Sequence, residues 1–297
     1  MEMDDTSLNY ILVIGWNSAV QKTLEFEDFV IGEVNRAKAL YLGTGGKGQN
    51  FCISTKVFLG APELGHLGSE SVNNVQKSDV ILFHFEAGQA GDFVNQELNR
   101  REIKHIAVDV PHQNTRTCTT IVNHKTMEAT EVIEPSIEVS SEQKFQMMEH
   151  IKVTLSRNSQ QIKAIAICGT SPGGIDAAES YLGIASLASS YKQLVFVDAV
   201  KGISEKIMRH VGILKVNKQE FEVLTEMILK RKCNSIDEAA TELLHLFKEN
   251  LKVIAITAGN LFIDPVCFFL PFFLHSFGVC LSVTLSWFFR GGSIFSL

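Results

Sequence analysis

A chain of 297 residues, 45% of them hydrophobic, is long enough to bury a large core as one α/β domain or two smaller ones. With 33 acidic against 27 basic side chains, a formal net charge of −6 and no basic block, it is not expected to bind the phosphate backbone of a nucleic acid. The six cysteines (Cys52, Cys118, Cys168, Cys233, Cys267, Cys280) form no C-x-x-C pair, which reads as reduced thiols in a cytoplasmic protein, not a disulfide frame or a zinc site. The acidic, polar start, Met1 to Asn9, is no secretory signal.

Tyr10 to Ile14 is a short apolar run closed by Gly15, the pattern of a buried strand. Gln21 to Phe29 alternates loosely, and a second extended segment, Gly32 to Ala37, follows it. A hairpin or small lid, partly exposed, is expected here. Arg36 within it faces solvent or a ligand, and the residues alone leave both open.

Thr44-Gly45-Gly46-Lys47-Gly48-Gln49-Asn50 is the stretch that invites chemistry. Glycines let backbone N–H groups crowd toward an anion, and a lysine among them adds a cation with three donors. From Phe51, apolar residues recur at helical spacing, so the loop is expected to feed a helix N-terminus, an end that favours negative charge. An ordinary glycine-rich turn with a solvated lysine is the competing reading. No Walker A pattern is present, and the stretch is not read as a Rossmann dinucleotide turn.

Ser78 to Phe83 reads as a further strand and Gly91 to Arg101 as the helix after it, with Asp92 near its N-cap. Thr115 to Val122 and Thr130 to Ile133 flank a turn-like Asn123-His124-Lys125, which predicts a second hairpin. Ser140 then opens a helix carrying Phe145, Met148 and Ile151. From Ile162 onward, strands ending at Cys168, Asp198, Asn217 and Thr257 alternate with helices at 177–189, near 204–210 and at 239–248. That alternation predicts a doubly wound parallel sheet. Polar residues at the strands' carboxyl ends (Thr170, Asp198, Asn217, Thr257) stand where such sheets bind ligands.

After Asn260 the composition changes. Pro265 to Phe289 carries no Asp, Glu, Lys or Arg, a run that would suit a membrane-spanning helix of about 20 residues. Pro271, Gly278 and the β-branched residues make it a poor soluble helix. A membrane anchor, a buried part of the core, and an end foreign to the rest of the chain (from alternative splicing or the gene model) are the three readings.

Taken together, Gly32-Glu33-Val34-Asn35-Arg36-Ala37, Gly45-Gly46-Lys47-Gly48-Gln49-Asn50, Gly169-Thr170-Ser171-Pro172-Gly173-Gly174 and the N-x-x-E of Asn217-Lys218-Gln219-Glu220 resemble the PfkB (ribokinase-like) carbohydrate kinases. The resemblance is nearest to their 1-phosphofructokinase and tagatose-6-phosphate kinase branch and covers roughly Ile11 to Gly259. It implies a ribokinase-like, doubly wound, mostly parallel α/β sheet flanked by helices, with a small β lid. The kinase domain would span residues 10–260, with lid segments at about 21–41 and 115–133 and an atypical apolar tail at 261–297.

The resemblance further implies phosphorylation of a sugar or sugar-phosphate hydroxyl, with ATP and Mg2+ as cofactors. Gln21, Gly45, Gly46, Lys47, Asn50 and Thr170 would contact the sugar. Arg36 and Arg116 would face a substrate phosphate, a role suited to a planar, bidentate fork. Asn217 and Glu220 would organise the magnesium end, Glu220 through water, since a hard cation wants oxygen ligands. Thr257 and Gly259 would begin the nucleotide loop, and the lid would build a homodimer.

Two departures stand out. Asn17-Ser18-Ala19-Val20-Gln21 replaces the family's N-P-A-[IL]-D, so an amide stands where an acid would accept hydrogen bonds from sugar hydroxyls. The family's D-T-x-G-A-G-D, source of the catalytic base and an amide anion hole, has no counterpart beyond Gly259. No catalytic base is therefore assigned. A chain impaired in turnover is expected, with a sugar-phosphate-binding pseudokinase, membrane-anchored if the tail inserts, as the alternative. The resemblance also favours the foreign-end reading of the tail.

Overall fold

The computed structural model of the chain describes residues 8–59, 78–257 and 266–269. β1 (Asn9–Asn17) passes through Ser18 into β2 (Ala19–Phe26), which pairs antiparallel with β3 (Ala39–Gly45). Gly46 then turns the chain into helix α1 (Lys47–Leu59). β4 (Ser78–Glu86), α2 (Gly88–Arg100) and β5 (Lys104–Asp109) follow. β6 (Thr117–Asn123) and β7 (Glu128–Ile133) form the second hairpin. The rest is α3 (Ser141–Asn158), β8 (Ile162–Cys168), α4 (Ala177–Ser190), β9 (Leu194–Asp198), α5 (Glu205–Met208), β10 (Ile213–Asn217), α6 (Lys218–Leu229), α7 (Ile236–Leu246), β11 (Val253–Thr257) and β12 (Val266–Phe269).

These strands make two sheets. The large one has the order β12-β11-β10-β9-β8-β1-β4-β5, and all its pairings are parallel except that of β12 on β11. β1 sits inside it, and its side chains divide between two buried clusters. Tyr10, Leu12 and Ile14 belong to one cluster with residues of α3 to α7, while Ile11 and Val13 belong to the other with Phe51 and Cys52 of α1 and Val94 and Leu98 of α2. Burial on both faces is why the strand reads as an unbroken apolar run and not an alternating one. From β1 the chain winds first toward β5 and later toward β11. Opposite windings of one crossover hand put the two sets of helices on opposite faces.

The two hairpins join through a parallel β2–β6 pairing into a second sheet, β3-β2-β6-β7. Its edge strands carry apolar residues into solvent: Leu40, Tyr41 and Leu42 on β3, Val132 and Ile133 on β7.

Several elements depart from the sequence expectations. α2 begins at Gly88, so Asp92 lies inside the helix and not at its cap. The cap comes from a distant loop: Asn114 Oδ1 accepts from Ala90 N–H (3.2 Å) and Thr115 Oγ1 from Ala87 N–H (3.0 Å). β5 was not foreseen, because an edge strand with one neighbour stays partly exposed and carries a weak apolar pattern. α6 was not foreseen either. Its start is a capping box in which Asn217 Oδ1 accepts from Glu220 N–H (2.8 Å) and Glu220 Oε2 from Asn217 N–H (2.9 Å). N-x-x-E ahead of Phe221, Leu224 and Ile228 was the available signal.

Of the tail, β12 alone is described, and the anchor reading of Pro265 to Phe289 otherwise lies outside the described residues. No helix among the described residues is long and apolar enough to cross a membrane. Cys52, Cys118, Cys168 and Cys233 are free thiols.

Candidate active site

The windings part company at β1, whose neighbours are β4 and β8. At such a switch point the loops leave the carboxyl ends in opposite directions and open a crevice. A cavity of about 640 Å³ lies there. Gly15 and Asn17 at the end of β1, Cys168 to Thr170 at the end of β8, Ala199 to Ile203 after β9, and Glu220, Val223 and Met227 of α6 line it. Lys47, Gly48 and Gln49 of the first α1 turn and Arg116, just before β6, complete the wall.

Gly48 sets the height of the α1 terminus. A Cβ on it would stand 2.3 Å from Gly15 Cα, so helix and strand touch backbone to backbone. Gly46 has φ +103°, and a side chain there would strike Gln49 Oε1 and the Asn17 carbonyl. The expected open loop is thus a one-residue turn, and the helix starts at Lys47, ahead of the expected Phe51. Asn50 N–H already donates to the Gly46 carbonyl (2.9 Å), whereas the amides of the preceding first turn have no intrahelical acceptor. Gly43 to Gly48 does spell G-x-G-x-x-G. The strand before it belongs to the small antiparallel hairpin, however, and not to a βαβ dinucleotide unit.

The Lys47 ammonium donates to Asp198 Oδ1 and Glu220 Oε1, each at 3.1 Å, and Lys215 Nζ donates to Asp198 Oδ2 at 3.0 Å. Burial would lower the Lys47 amine, but the Asp198 and Glu220 carboxylates outweigh it and hold it above its ordinary range. Burial would raise Glu220, yet the Asn217 N–H it accepts from and Lys47 keep its carboxyl below the usual range. Glu220 therefore divides its duties, one oxygen capping α6 and the other reaching into the cavity. Cys168 is a poor nucleophile: burial first, then Asp198, push its thiol well above its ordinary value.

Across the cavity, Arg116 Nη2 donates to the Asn17 carbonyl (3.3 Å), while its buried Nε has no partner among the described residues. Asn17 Nδ2 donates to Ser136 Oγ (2.9 Å) and Thr170 Oγ1 (3.1 Å), tying the ends of β1 and β8 together. The Arg116 guanidinium and the first-turn amides of α1 offer donors to an anion, whereas the Lys47 ammonium is already held by Asp198 and Glu220. Val200, Val223 and Met227 give another part of its wall an apolar character.

Of the residues singled out in the sequence, Lys47, Arg116, Thr170 and Glu220 share this cavity. The others are placed elsewhere. Gln21 donates to Thr120 Oγ1 (3.0 Å) within the small sheet, with Gly45 against its side chain. Arg36 is exposed on the β2–β3 loop, Asn50 is exposed on α1, and Thr257 ends β11. Asn217 spends its side-chain oxygen on the cap, and Gly259 lies outside the described residues. Asp198 and Asn17 are the site residues that sequence reasoning left off its list. Asp198 was noticed only as a strand-end polar residue, and its pairing with Lys47 has no sequence signal.

Sheet order, helix placement and the small second sheet define a ribokinase-like α/β fold. Solved structures similar to the chain include phosphofructokinase-2 of Escherichia coli in complex with fructose-6-phosphate, at 16% identity and a TM-score of 0.66, covering 88% of this chain and 79% of that one. A possible 1-phosphofructokinase of Thermotoga maritima matches at 18% and 0.67, covering 88% and 75%. Ribokinase of the same organism matches at 18% and 0.62, covering 89% and 75%. No protein-family model matches the sequence. At these identities the likeness is one of fold.

Proposed function

We propose that the chain is a PfkB-type carbohydrate kinase that transfers the γ-phosphoryl of ATP to a hydroxyl of a phosphorylated hexose, such as fructose 1-phosphate, fructose 6-phosphate or tagatose 6-phosphate. The observation that carries this reading is the meeting of Lys47, Arg116, Thr170 and Glu220, from four separate stretches of sequence, around one cavity. Arg116 and the α1 terminus are suited to a phosphate, and Asn17 and Thr170 to sugar hydroxyls. The carboxylates of Asp198 and Glu220 offer the hard oxygen donors Mg2+ prefers, so the donor chemistry fits that ion. Bound there, it would neutralise charge on the transferring phosphoryl group. Arg36, Gln21 and Asn50 enter this reading only as residues of the lid and of α1, outside the cavity's lining.

Turnover is proposed to be weak. No D-T-x-G-A-G-D occurs in these 297 residues, and a general base typically contributes about 10²- to 10⁴-fold. That same feature favours a second reading, a non-catalytic sugar-phosphate-binding protein. A coupled ADP-release assay with the three sugar phosphates separates them. Release that disappears in Lys47→Ala and Arg116→Ala supports the kinase. Saturable sugar-phosphate binding by calorimetry with no ADP release supports the binder. Neither binding nor release would sink both.

A further inference from the structure

We propose that Asp198 and Glu220 act as an internal counter-ion lock on Lys47, so that the cavity gains affinity for an anion when a cation takes over the two carboxylates. The inference rests on the sugar-phosphate reading of the cavity and adds a coupling between its charges. Lys47 is the cation at the mouth of the α1 terminus, with 41% of its side chain exposed, yet its ammonium is committed to two carboxylates at equal distance. Asp198 is nearly buried and is itself fixed by Lys215. Glu220 is fixed by the α6 capping box, which uses only its other oxygen. Both acceptors are thus held in place by contacts independent of Lys47, while the lysine is a flexible stem pinned at its tip. An incoming phosphate oxygen must compete with two anchored carboxylates for one ammonium. A divalent cation with a preference for carboxylate oxygen removes that competition. Asp198 is in this sense a positioning residue: it acts on the anion through Lys47.

Calorimetric titration of the full chain with inorganic phosphate, without and with magnesium chloride, tests the lock. Glu220→Gln is the primary variant, because a glutamine oxygen can still accept the Asn217 N–H and the substitution leaves the Lys215 contact alone. Asp198→Asn, checked by thermal melting, is the second. Glu220→Gln should bind phosphate about three- to tenfold tighter than wild type in the absence of magnesium, the size expected for releasing a half-exposed ion pair. Magnesium should raise wild-type affinity by a similar factor. Both gains should vanish in a Lys47→Ala background, since the coupling runs through that amine. Equal gains with and without Lys47 would reduce the effect to a general field of the carboxylates and overturn the lock. Phosphate binding that is lost in Arg116→Ala but indifferent to Glu220→Gln would overturn the lock and leave the anion site standing. No phosphate binding in any form would overturn both.

Discussion

At the scale of single residues, the molecule carries an acid-sensitive point away from the cavity. His84 of β4 is fully buried, its Nε2 3.1 Å from His105 Nδ1. Burial first, and then the His105 ring, hold its pKa down at about 3. The unfolded chain therefore binds a proton that the folded one refuses between about pH 6.5 and pH 3. Stability is complete above that window and falls as pH drops through it, by about 1.4 kcal/mol per pH unit at most from this group. In urea titrations between pH 7 and 4 the wild-type unfolding free energy should fall with pH by up to this amount per unit from His84, and His84→Leu should flatten the fall. An unchanged slope in the variant would place the acid sensitivity elsewhere.

At the scale of elements, two junctions hold the cavity's charged groups in place. The α1 terminus rests on β1 through Gly48 and Gly15. Gly48→Ala forces helix and strand apart at a backbone–backbone contact, and overpacking of this kind costs about 1–3 kcal/mol. Because Lys47 rides on the same turn, the variant should lose stability in denaturant melts and phosphate affinity together. A stability loss with unaltered affinity would detach the junction from the site. At α6, Asn217→Ala removes the side-chain acceptor of the capping box, worth about 1 kcal/mol. It leaves the Glu220 carboxylate anchored, because that oxygen accepts from the backbone N–H of residue 217, which alanine keeps. Its melting temperature should drop, and restoring an acceptor with Asn217→Asp should recover most of the loss.

At the scale of the whole molecule, the small sheet stands out. Its two edge strands, β3 and β7, each have one hydrogen-bonding neighbour among the described residues and expose Leu40, Leu42, Val132 and Ile133. Unpaired, apolar edges are surfaces that proteins cover or charge. The homodimer through the lid is proposed on that ground. Sedimentation of the wild type should give a dimer at micromolar concentration, and Leu42→Lys with Val132→Lys should give monomers with an unaltered circular-dichroism spectrum. A wild-type monomer would dispose of the lid dimer.

How much of this was legible in the chain differs from part to part. Buried strands showed themselves, because a strand covered on both faces can use little but apolar residues, as in Tyr10 to Ile14 and Val253 to Ile256. Capped helices such as α3 showed themselves too, since Ser140 and Gln143 meet within one turn of chain. Lys47, Arg116, Thr170 and Glu220 could be named in advance only through the family resemblance, since spacing alone left the Lys47 loop open and gave Arg116 no motif. Their convergence was decided only in three dimensions, by the parting of the two windings at β1, and so was the capture of Lys47 by Asp198. Local pattern reports what a residue does to its near neighbours in sequence. An edge strand like β5, a helix cap lent by Asn114 and an ion pair spanning Lys47 and Asp198 depend on neighbours that sequence distance hides, so only the tertiary structure could supply them.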